Sequence, residues 1–256
     1  MKITILGCGP SSGVPTIVGD WGNCDPSNPK NRRRRPSILV EQDDYRVLVD
    51  TSPDIKAQLL DSQTREVDAV LYTHDHADHV MGIDDLRVVR RYMGRNIDVY
   101  AEPLTLKQLQ TRFGYLFSGI QDPEDLYRPI LDPRVIDGPF KVGPFDAVQP
   151  IEQDHGICAS LGFRFGSFAY STDVGRLPQN SLDALKGVDT WVVDCLRDGG
   201  EHPTHANLEQ TLAWIDEVSP RRAILTHMNF QSDYETMRKA CPPGVEPAFD
   251  GMVIEV

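Results

Sequence analysis

Hydrophobic and polar residues alternate in short runs along most of the chain, a pattern that predicts many β-strands and fewer helices. The runs that we interpret as strands are residues 2–6, 37–40, 46–49, 69–72, 147–151, 168–171, 190–194, 223–225 and 252–256. The segments with helical spacing are residues 53–60, 104–112, 182–186, 207–217 and 233–239. The early strands follow one another as hairpins do, and the later strands alternate with helices. We therefore expect an α/β fold in a single domain that spans residues 1–256.

The segment of residues 113–133 fits neither pattern. It carries several aromatic residues among prolines and glycines, and we interpret it as an insertion. Such a segment is more often a packed surface excursion or a dimer contact than a lid over a substrate.

The amino-acid composition limits the classes of binding partner and the cellular compartment that we expect. The formal net charge is −12 and the isoelectric point is near 5.0, which argues against a long nucleic acid as partner. No apolar stretch approaches the roughly 20 residues of a membrane helix, and the first residues do not resemble a signal peptide. The five cysteines are scattered without a CxxC pair, which favours a reducing compartment. We expect a cytoplasmic protein without membrane contacts.

Four consecutive arginines occupy positions 32–35. A solvated loop before the strand at 37–40 is the ordinary interpretation. In the other interpretation, one or two of these arginines turn inward toward a phosphate. The sequence leaves both open.

Residues 70–82 read VLYTHDHADHVMG and contain three of the seven histidines of the chain. The apolar part predicts a buried strand. His74, His76, Asp78 and His79 then lie in the loop beyond its carboxyl end, where α/β proteins bind ligands. Imidazole and carboxylate groups are ligands for zinc and similar divalent ions. Asp75 lies between two of the histidines, and we expect its side chain to point away.

Further ligands must come from distant parts of the chain. Three candidates occur in one context, directly after a strand-like run: His155, Asp173 and His227. Each alone is equally compatible with ordinary loop chemistry. Together with the histidine cluster, they indicate a binuclear metal site.

The order of Asp50, the HxHxDH cluster, His155, Asp173 and His227 resembles the five motifs of the metallo-β-lactamase superfamily. Within it, four stretches are similar to the PhnP-like phosphoribosyl cyclic phosphate phosphodiesterase group: ILGCGPSSGVP, RRRRPSILV, HPTHANLEQTLAWIDEVSPRRAILTHM and AFDGMVIEV. The resemblance covers nearly the whole chain. It implies an αββα sandwich of two mixed β-sheets flanked by helices, with a two-metal site at one edge. It also implies a homodimer.

The resemblance assigns a role to each ligand. By it, one metal ion would be bound by His74, His76 and His155, the other by Asp78, His79 and His227, and both by Asp173. Asp50 would orient a ligand imidazole through its other ring nitrogen. The ions would be zinc or manganese, and a hydroxide held between them would be the nucleophile.

His205, in HPTHANLEQ, is the second catalytic candidate besides Asp78. In the group that the chain resembles, a histidine in this place protonates the leaving oxygen or contacts phosphate, and an imidazolium near pH 7 can supply that proton. The helix that begins behind it would also favour an anion. His202 and Asn229 are weaker candidates for substrate contacts; a surface position and a turn are their alternatives.

The predicted reaction is hydrolysis of a small phosphodiester, with a ribose cyclic phosphate or a nucleotide favoured. Three alternatives stay open: a glyoxalase II-like thioesterase, a tRNA 3′-processing endonuclease of the ribonuclease Z type, and a non-catalytic binding protein related to pyrroloquinoline quinone biosynthesis. Relatives often carry a structural zinc on several cysteines after the glycine turn. This chain retains only Cys24 there, and we expect no such zinc.

Overall fold

Fourteen β-strands and eight α-helices are present in the part of the chain that the computed structural model describes, residues 1–119 and 128–256. The strands are β1 (Lys2–Gly7), β2 (Ser37–Gln42), β3 (Tyr45–Val49), β4 (Ala69–Leu71), β5 (Ile97–Ala101), β6 (Leu131–Val135), β7 (Phe140–Val142), β8 (Phe145–Asp154), β9 (Ala159–Phe165), β10 (Phe168–Ser171), β11 (Thr190–Asp194), β12 (Arg222–Thr226), β13 (Val245–Pro247) and β14 (Val253–Glu255). The helices are α1 (Ile55–Asp61), α2 (Ala77–Val80), α3 (Leu86–Met93), α4 (Pro103–Arg112), α5 (Gly114–Phe117), α6 (Gln179–Leu185), α7 (Leu208–Val218) and α8 (Tyr234–Ala240). Within these residues, no helix combines the length and the apolar character that crossing a bilayer requires.

The strands form two mixed sheets of seven strands each. Their orders are β14-β1-β2-β3-β4-β5-β6 and β13-β12-β11-β10-β9-β8-β7. Pairing is parallel from β3 to β6 and from β10 to β13, and antiparallel elsewhere. Helices flank the two sheets, so the predicted αββα sandwich is confirmed.

Alternate residues of the strands face two different hydrophobic cores. Val47 and Val49 of β3 pack between the sheets with Phe163 of β9, whereas Leu48 packs with Ile55 of α1 on the outer face. Successive side chains of a strand point to opposite faces of its sheet. The first sheet therefore has apolar side chains on both faces, and both faces are covered.

The sequence pattern misses five strands and three helices within the described residues: β5, β6, β7, β9, β13, α2, α3 and α5. The edge strand β6 contains Pro133. Proline has no N–H to donate to a neighbouring strand, and it is therefore tolerated in strands at the edge of a sheet. Strand β9 contains Gly162, and a Cβ at that position would lie 2.8 Å from the carbonyl oxygen of Tyr170. At Gly162 close packing thus excludes a side chain, whereas at Pro133 the edge position tolerates a residue without an N–H donor.

The interpretation of residues 113–133 as an insertion is wrong near both ends. Gly114–Phe117 form α5, and residues 131–133 belong to β6, which pairs with β5 in the first sheet. Residues 120–127 lie outside the described part of the chain. The choice between surface excursion, dimer contact and lid therefore stays a prediction.

The four arginines at positions 32–35 have four different environments. Arg32 is exposed, and its guanidinium stacks over the ring of Trp21. Arg34 and Arg35 are half-buried, and each pairs with a carboxylate on or next to α1. Arg33 is only 2% exposed and donates to the carbonyl oxygens of Asn229 and Ser232, at 3.2 and 2.7 Å. One arginine is thus turned inward, and its partners are these two carbonyls together with Asn31 Oδ1 at 3.3 Å and Cys24 Sγ at 3.8 Å.

Arg33→Met is expected to lower the free energy of unfolding by about 1–3 kcal/mol, because it removes the donor to the buried carbonyl oxygen of Ser232 and one of the donors to that of Asn229. The matched control is Arg32→Met, which removes the same charge from an exposed position and is expected to change stability by less than about 0.5 kcal/mol. Urea unfolding of both variants measures the difference. Equal losses of unfolding free energy in the two variants would show that the buried hydrogen bonds of Arg33 do not stabilise the fold.

Asp250 predicts a pH dependence of stability. Its carboxylate accepts hydrogen bonds from the backbone N–H groups of Cys8 and Arg34, at 3.1 and 2.8 Å. Exclusion of water raises its pKa to about 6, although part of the residue stays exposed. The folded chain thus binds a proton that the unfolded chain releases near pH 4. Stability is therefore fully present below that pH and declines as the pH rises through 6.

We expect the wild type to lose about 1–2 kcal/mol of unfolding free energy, relative to Asp250→Asn, between pH 4 and pH 7. Urea unfolding of both proteins at the two pH values tests this. Histidine titrations are common to both proteins and cancel in the comparison. A difference that does not change with pH would contradict the assignment.

Candidate metal centre

The predicted site residues lie at strand ends on one edge of the sandwich. Asp50 follows β3 directly, and His155 and His227 directly follow β8 and β12. Asp173 comes two residues after β10. Asp50, Asp173 and His227 all have a left-handed backbone, with φ of 64°, 53° and 61°. Such conformations are costly for residues other than glycine and concentrate at functional sites.

Two groups of four candidate ligand atoms meet at this edge, and a third group of three adjoins them: Asp194, His205 and His227. The first contains His74, His76, His155 and Asp173, and the second contains Asp78, His79, Asp173 and His227. Within each group the ligand atoms lie within 4.8 Å of one another. They have the same members as the two sets that the resemblance implies, and Asp173 is common to both.

A hydrogen-bonded chain orients two of the imidazoles. His79 Nδ1 donates to Asp50 Oδ2 at 2.7 Å, and the Thr73 hydroxyl donates to the same oxygen at 2.8 Å. Since that hydroxyl proton is used, the Thr73 oxygen accepts from His74 Nδ1 at 3.0 Å. Asp50 thus orients His79 directly and His74 through Thr73. The resemblance to the superfamily implies this role for Asp50, whereas Thr73 was not identified from the sequence.

The remaining ring nitrogens suit a metal. His155 Nδ1 donates to the carbonyl oxygen of Thr204 at 2.8 Å, which leaves its Nε2 as the ligand atom. The Nε2 atoms of His74, His79 and His227 are buried and make no hydrogen bond to any described residue. An unpaired buried nitrogen is costly, and a coordinated cation relieves that cost. The donor set therefore fits divalent metal ions.

The charges of the cluster also suit a cation. Burial by itself would lower the pKa of His79, but the carboxylates of Asp173 and Asp78 outweigh it and raise that pKa well above its usual value. Burial would raise the pKa of Asp173, yet His227 and His79 hold it well below its usual value. Burial lowers the pKa of His74. The carboxylates that stabilise a proton on His79 also attract a divalent ion, and an ion bound there would replace that proton.

Asp75 does not join either group. Its Oδ2 accepts from Arg112 Nη2 at 2.5 Å, and its backbone carbonyl accepts from Nη1 of the same side chain at 2.6 Å. Its carboxylate is thus directed to α4, as the sequence analysis expected.

His205 lies against the second ligand group. Its ring stacks on that of His227 with centroids 4.6 Å apart, and it is 9% exposed. Its Nδ1 donates to Asp194 Oδ2 at 3.0 Å. Burial would lower the pKa of His205, but Asp194 more than compensates and raises it. Asp194 was missed as a functional residue, although it ends an apolar strand just as Asp50 follows one.

His202 and Asn229 are near the site but outside both ligand groups. The ring of His202 lies 5.3 Å from that of His205. Asn229 Oδ1 accepts from the backbone N–H of Gln231 at 2.8 Å, which is a turn interaction. The turn alternative for Asn229 is therefore present, and substrate contact by either residue stays a prediction.

Asp50→Asn is expected to weaken metal binding about 10- to 100-fold, because the amide cannot accept from His79 and Thr73 as the carboxylate does. Competition with a chromogenic chelator measures the affinity. Asp54→Asn is the matched control, because Asp54 lies four residues away and pairs with Arg35. The same loss in both variants would indicate a general effect of charge.

Comparison with known proteins agrees with this geometry. A family model described as "Beta-lactamase superfamily domain" matches residues 45–228. The crystal structure of "a new diphosphatase from the PhnP family" superposes with a TM-score of 0.90 and 33% identity, covering 99% of this chain and 96% of that chain. A Porphyromonas gingivalis protein named octanoyltransferase is 31% identical over 254 residues, which are 98% of this chain and 51% of that protein.

A ribonuclease Z from Bradyrhizobium sp. (strain ORS 278) is 34% identical over 180 residues, covering 68% of this chain and 56% of that protein. The chain thus spans about half the length of these two curated relatives.

Proposed function

The chain belongs to the metallo-β-lactamase superfamily as a PhnP-like metal-dependent hydrolase, and from this premise we propose that it hydrolyses a small phosphodiester with two metal ions. A ribose cyclic phosphate or a nucleotide is the favoured substrate. One observation carries the proposal: two ligand groups share Asp173, and the His205–Asp194 pair lies beside them. The ligand groups suit two divalent ions, and the pair suits proton transfer to a leaving oxygen.

The two oxygens of Asp173 face different ligand groups. Oδ1 lies 3.2 and 3.1 Å from the Nε2 atoms of His79 and His227. Oδ2 lies 3.8 and 3.5 Å from those of His74 and His155. Asp173 would therefore give one oxygen to each ion, with His76 and Asp78 completing the two sets. When bound, two such ions, zinc or manganese, would stabilise the charge that develops at phosphorus and would activate water as a nucleophile.

His205 supplies the proton in this proposal. Because Nδ1 donates to Asp194, Nε2 is the nitrogen that can protonate the leaving oxygen. Asp194 also accepts from the backbone N–H of Val174 at 3.1 Å, which fixes the carboxylate. The raised pKa of His205 keeps a larger fraction of it protonated near neutral pH. An alkoxide leaving group needs such a donor.

A tRNA 3′-processing endonuclease is the second candidate, favoured by the ribonuclease Z relative. The net charge of −12 argues against a long polyanionic substrate. A single domain, a homodimer and a cytoplasmic location stay predictions.

A substrate panel for the purified, metal-analysed protein tests the proposal. It contains a 2′,3′-cyclic nucleotide, a ribose cyclic phosphate, a linear aryl phosphodiester, a glutathione thioester and a precursor tRNA. We expect turnover of the cyclic and small diesters. Turnover of the precursor tRNA alone would favour the endonuclease, and turnover of the thioester alone would overturn the substrate class. Bound metal without any turnover would favour a binding protein.

A further inference from the structure

We propose that a cleft beside the first ligand group binds an ammonium group of the substrate, on the ester arm that lies away from His205. The inference rests on the proposed function, since it describes another part of the same substrate. It narrows the substrate class to small phosphodiesters that carry a primary amine on one alcohol.

The cleft adjoins the metal centre on the side away from His205 and has a volume of about 730 Å³. Cys158 forms part of its wall, and Cys158 Sγ lies 3.8 Å from His76 Nε2. His155 lies between His76 and His205, with its ring centroid 5.2 and 4.8 Å from theirs. A diester whose leaving oxygen is at His205 can therefore direct its other ester arm past His76 into the cleft.

Among the described residues, the charged side chains that line the cleft are all acidic. Glu102 directly follows β5, Asp137 comes two residues after β6, and Glu152 belongs to β8. Asp154 also lines the cleft and is paired with Arg176, but the other three carboxylates form no ion pair with a described residue. Three negative charges without a counter-charge attract a cation and repel an anionic arm.

Gln153 places an unpaired acceptor at the floor of the cleft. It is 3% exposed and lines the cleft together with Ser160. Its Nε2 donates to Ser160 Oγ at 3.0 Å and to the carbonyl oxygen of Thr172 at 2.9 Å. Both amide protons are used in this way, and Gln153 Oε1 accepts a hydrogen bond from none of the described residues. A buried acceptor is costly to leave unpaired, and an ammonium group of the substrate supplies the donor.

The remaining lining limits the kind of amine. Ile136, Ile151 and Leu161 are buried and give the cleft an apolar wall for a short carbon chain. No aromatic side chain is among the described residues that line it, although quaternary ammonium groups are usually bound by aromatic rings. A primary ammonium instead uses its three N–H donors on carboxylate and amide oxygens. Gln153 lies two residues before His155, about 7 Å along an extended strand, and an aminopropyl arm spans a similar distance.

A matched pair of substrates tests the cleft: p-nitrophenyl 3-aminopropyl phosphate and p-nitrophenyl butyl phosphate. They share a leaving group whose oxygen is stable as an anion, and they differ only in NH₃⁺ against CH₃ at the end of the arm. We expect the metal-loaded wild type to prefer the aminopropyl ester by at least about tenfold in kcat/KM, the size expected for hydrogen bonds to charged groups.

Two variants and a control locate this preference. In Glu102→Gln/Asp137→Asn/Glu152→Gln, which removes the three unpaired charges, kcat/KM for the two esters should agree within about twofold. Glu152→Gln alone should lower the preference at least about threefold, and it tests the cleft even if the triple variant does not fold. Asp198→Asn removes an exposed carboxylate outside the cleft and should keep the preference.

A binding measurement separates failure of the cleft from failure of the proposed function. Calorimetry with the metal-loaded protein compares 3-aminopropylphosphonate with butylphosphonate, neither of which has an ester bond to hydrolyse. We expect the aminopropyl compound to bind at least about fivefold more tightly to the wild type and to Asp198→Asn, and the difference to be lost in the triple variant.

Four outcomes are decisive. Equal kcat/KM for the two esters in the wild type overturns the ammonium site and leaves the phosphodiesterase in place. A preference that survives in Glu152→Gln and in the triple variant also overturns it, because the ammonium group would then bind elsewhere. If the wild type hydrolyses neither ester but binds the aminopropyl phosphonate more tightly through the three carboxylates, the proposed function falls and the ammonium site stands. If it hydrolyses neither ester and binds both phosphonates equally, both fall.

Discussion

Asp173→Ala is expected to release metal from both ligand groups and to lower kcat for a cyclic phosphodiester by at least about 10³-fold. The physical reason is the position of the carboxylate, which is 2% exposed and directs one oxygen toward each ligand group. Loss of a ligand to one ion leaves the other group intact, whereas loss of Asp173 affects both. Metal analysis after gel filtration, together with kcat, measures the two effects.

The control for this prediction is Asp75→Ala. Asp75 is a carboxylate of the loop after β4 that pairs with Arg112 and belongs to neither group. We expect it to retain two metal ions per chain. Retention of both ions by Asp173→Ala would contradict the assignment of Asp173 as the shared ligand. Circular dichroism of the variant shows whether the fold itself has survived.

His205→Ala is expected to lower kcat about 10²- to 10³-fold on an ester with an alkoxide leaving group while both metal ions stay bound. The effect should depend on the leaving group, since only a poor one needs a proton. A p-nitrophenyl diester, whose leaving oxygen is stable as an anion, should lose less than about tenfold. The measurement is kcat for both esters in the wild type and the variant, with metal content determined in parallel.

His202→Ala serves as the comparison for His205→Ala. His202 neighbours His205 but has no carboxylate partner, and it lies farther from the ligand groups. We expect it to keep most of kcat on both esters. If His205→Ala lost the same factor on both esters, the ring would be acting by positioning His227, on which it stacks, and not as the acid.

Much of the site could be predicted from the sequence because its residues share one context. A short apolar run predicts a strand, and the residue that follows it lies at a sheet edge, where strands from distant parts of the chain meet. His155, His227 and Asp173 were found in this way. Ring contacts connect all seven histidines of the chain in one network. Only the concentration of three of them in residues 70–82 was visible before the fold was known.

The residues that were missed depend on tertiary contacts that no local pattern reveals. Asp194 ends its strand as many structural aspartates do, and only the position of His205 shows its role. Thr73 is an ordinary strand-terminating residue until its hydroxyl lies between Asp50 and His74. Arg33 could not be distinguished from its three neighbours, because the carbonyl groups that hold it come from residues almost 200 positions away.

The missed strands have a similar explanation. β6 and β9 contain a proline and a glycine, which weaken the strand pattern, and pairing with β5 and β8 holds them in the sheets. The first sheet was therefore predicted at its hairpin part and missed at its β5–β6 edge. Its strands β3 and β4 precede Asp50 and the HxHxDH loop, so the prediction of those residues did not depend on that edge.

Titration of the metal-free protein with Zn²⁺ or Mn²⁺, followed by hydrolysis of a 2′,3′-cyclic nucleotide, tests the central claim most directly. The two ligand groups and their shared Asp173 predict that the rate rises until two equivalents of metal are bound per chain. The same titration of His205→Ala should bind two equivalents with little turnover. A rate that is full without metal, or two bound equivalents without hydrolysis in the wild type, would contradict the account.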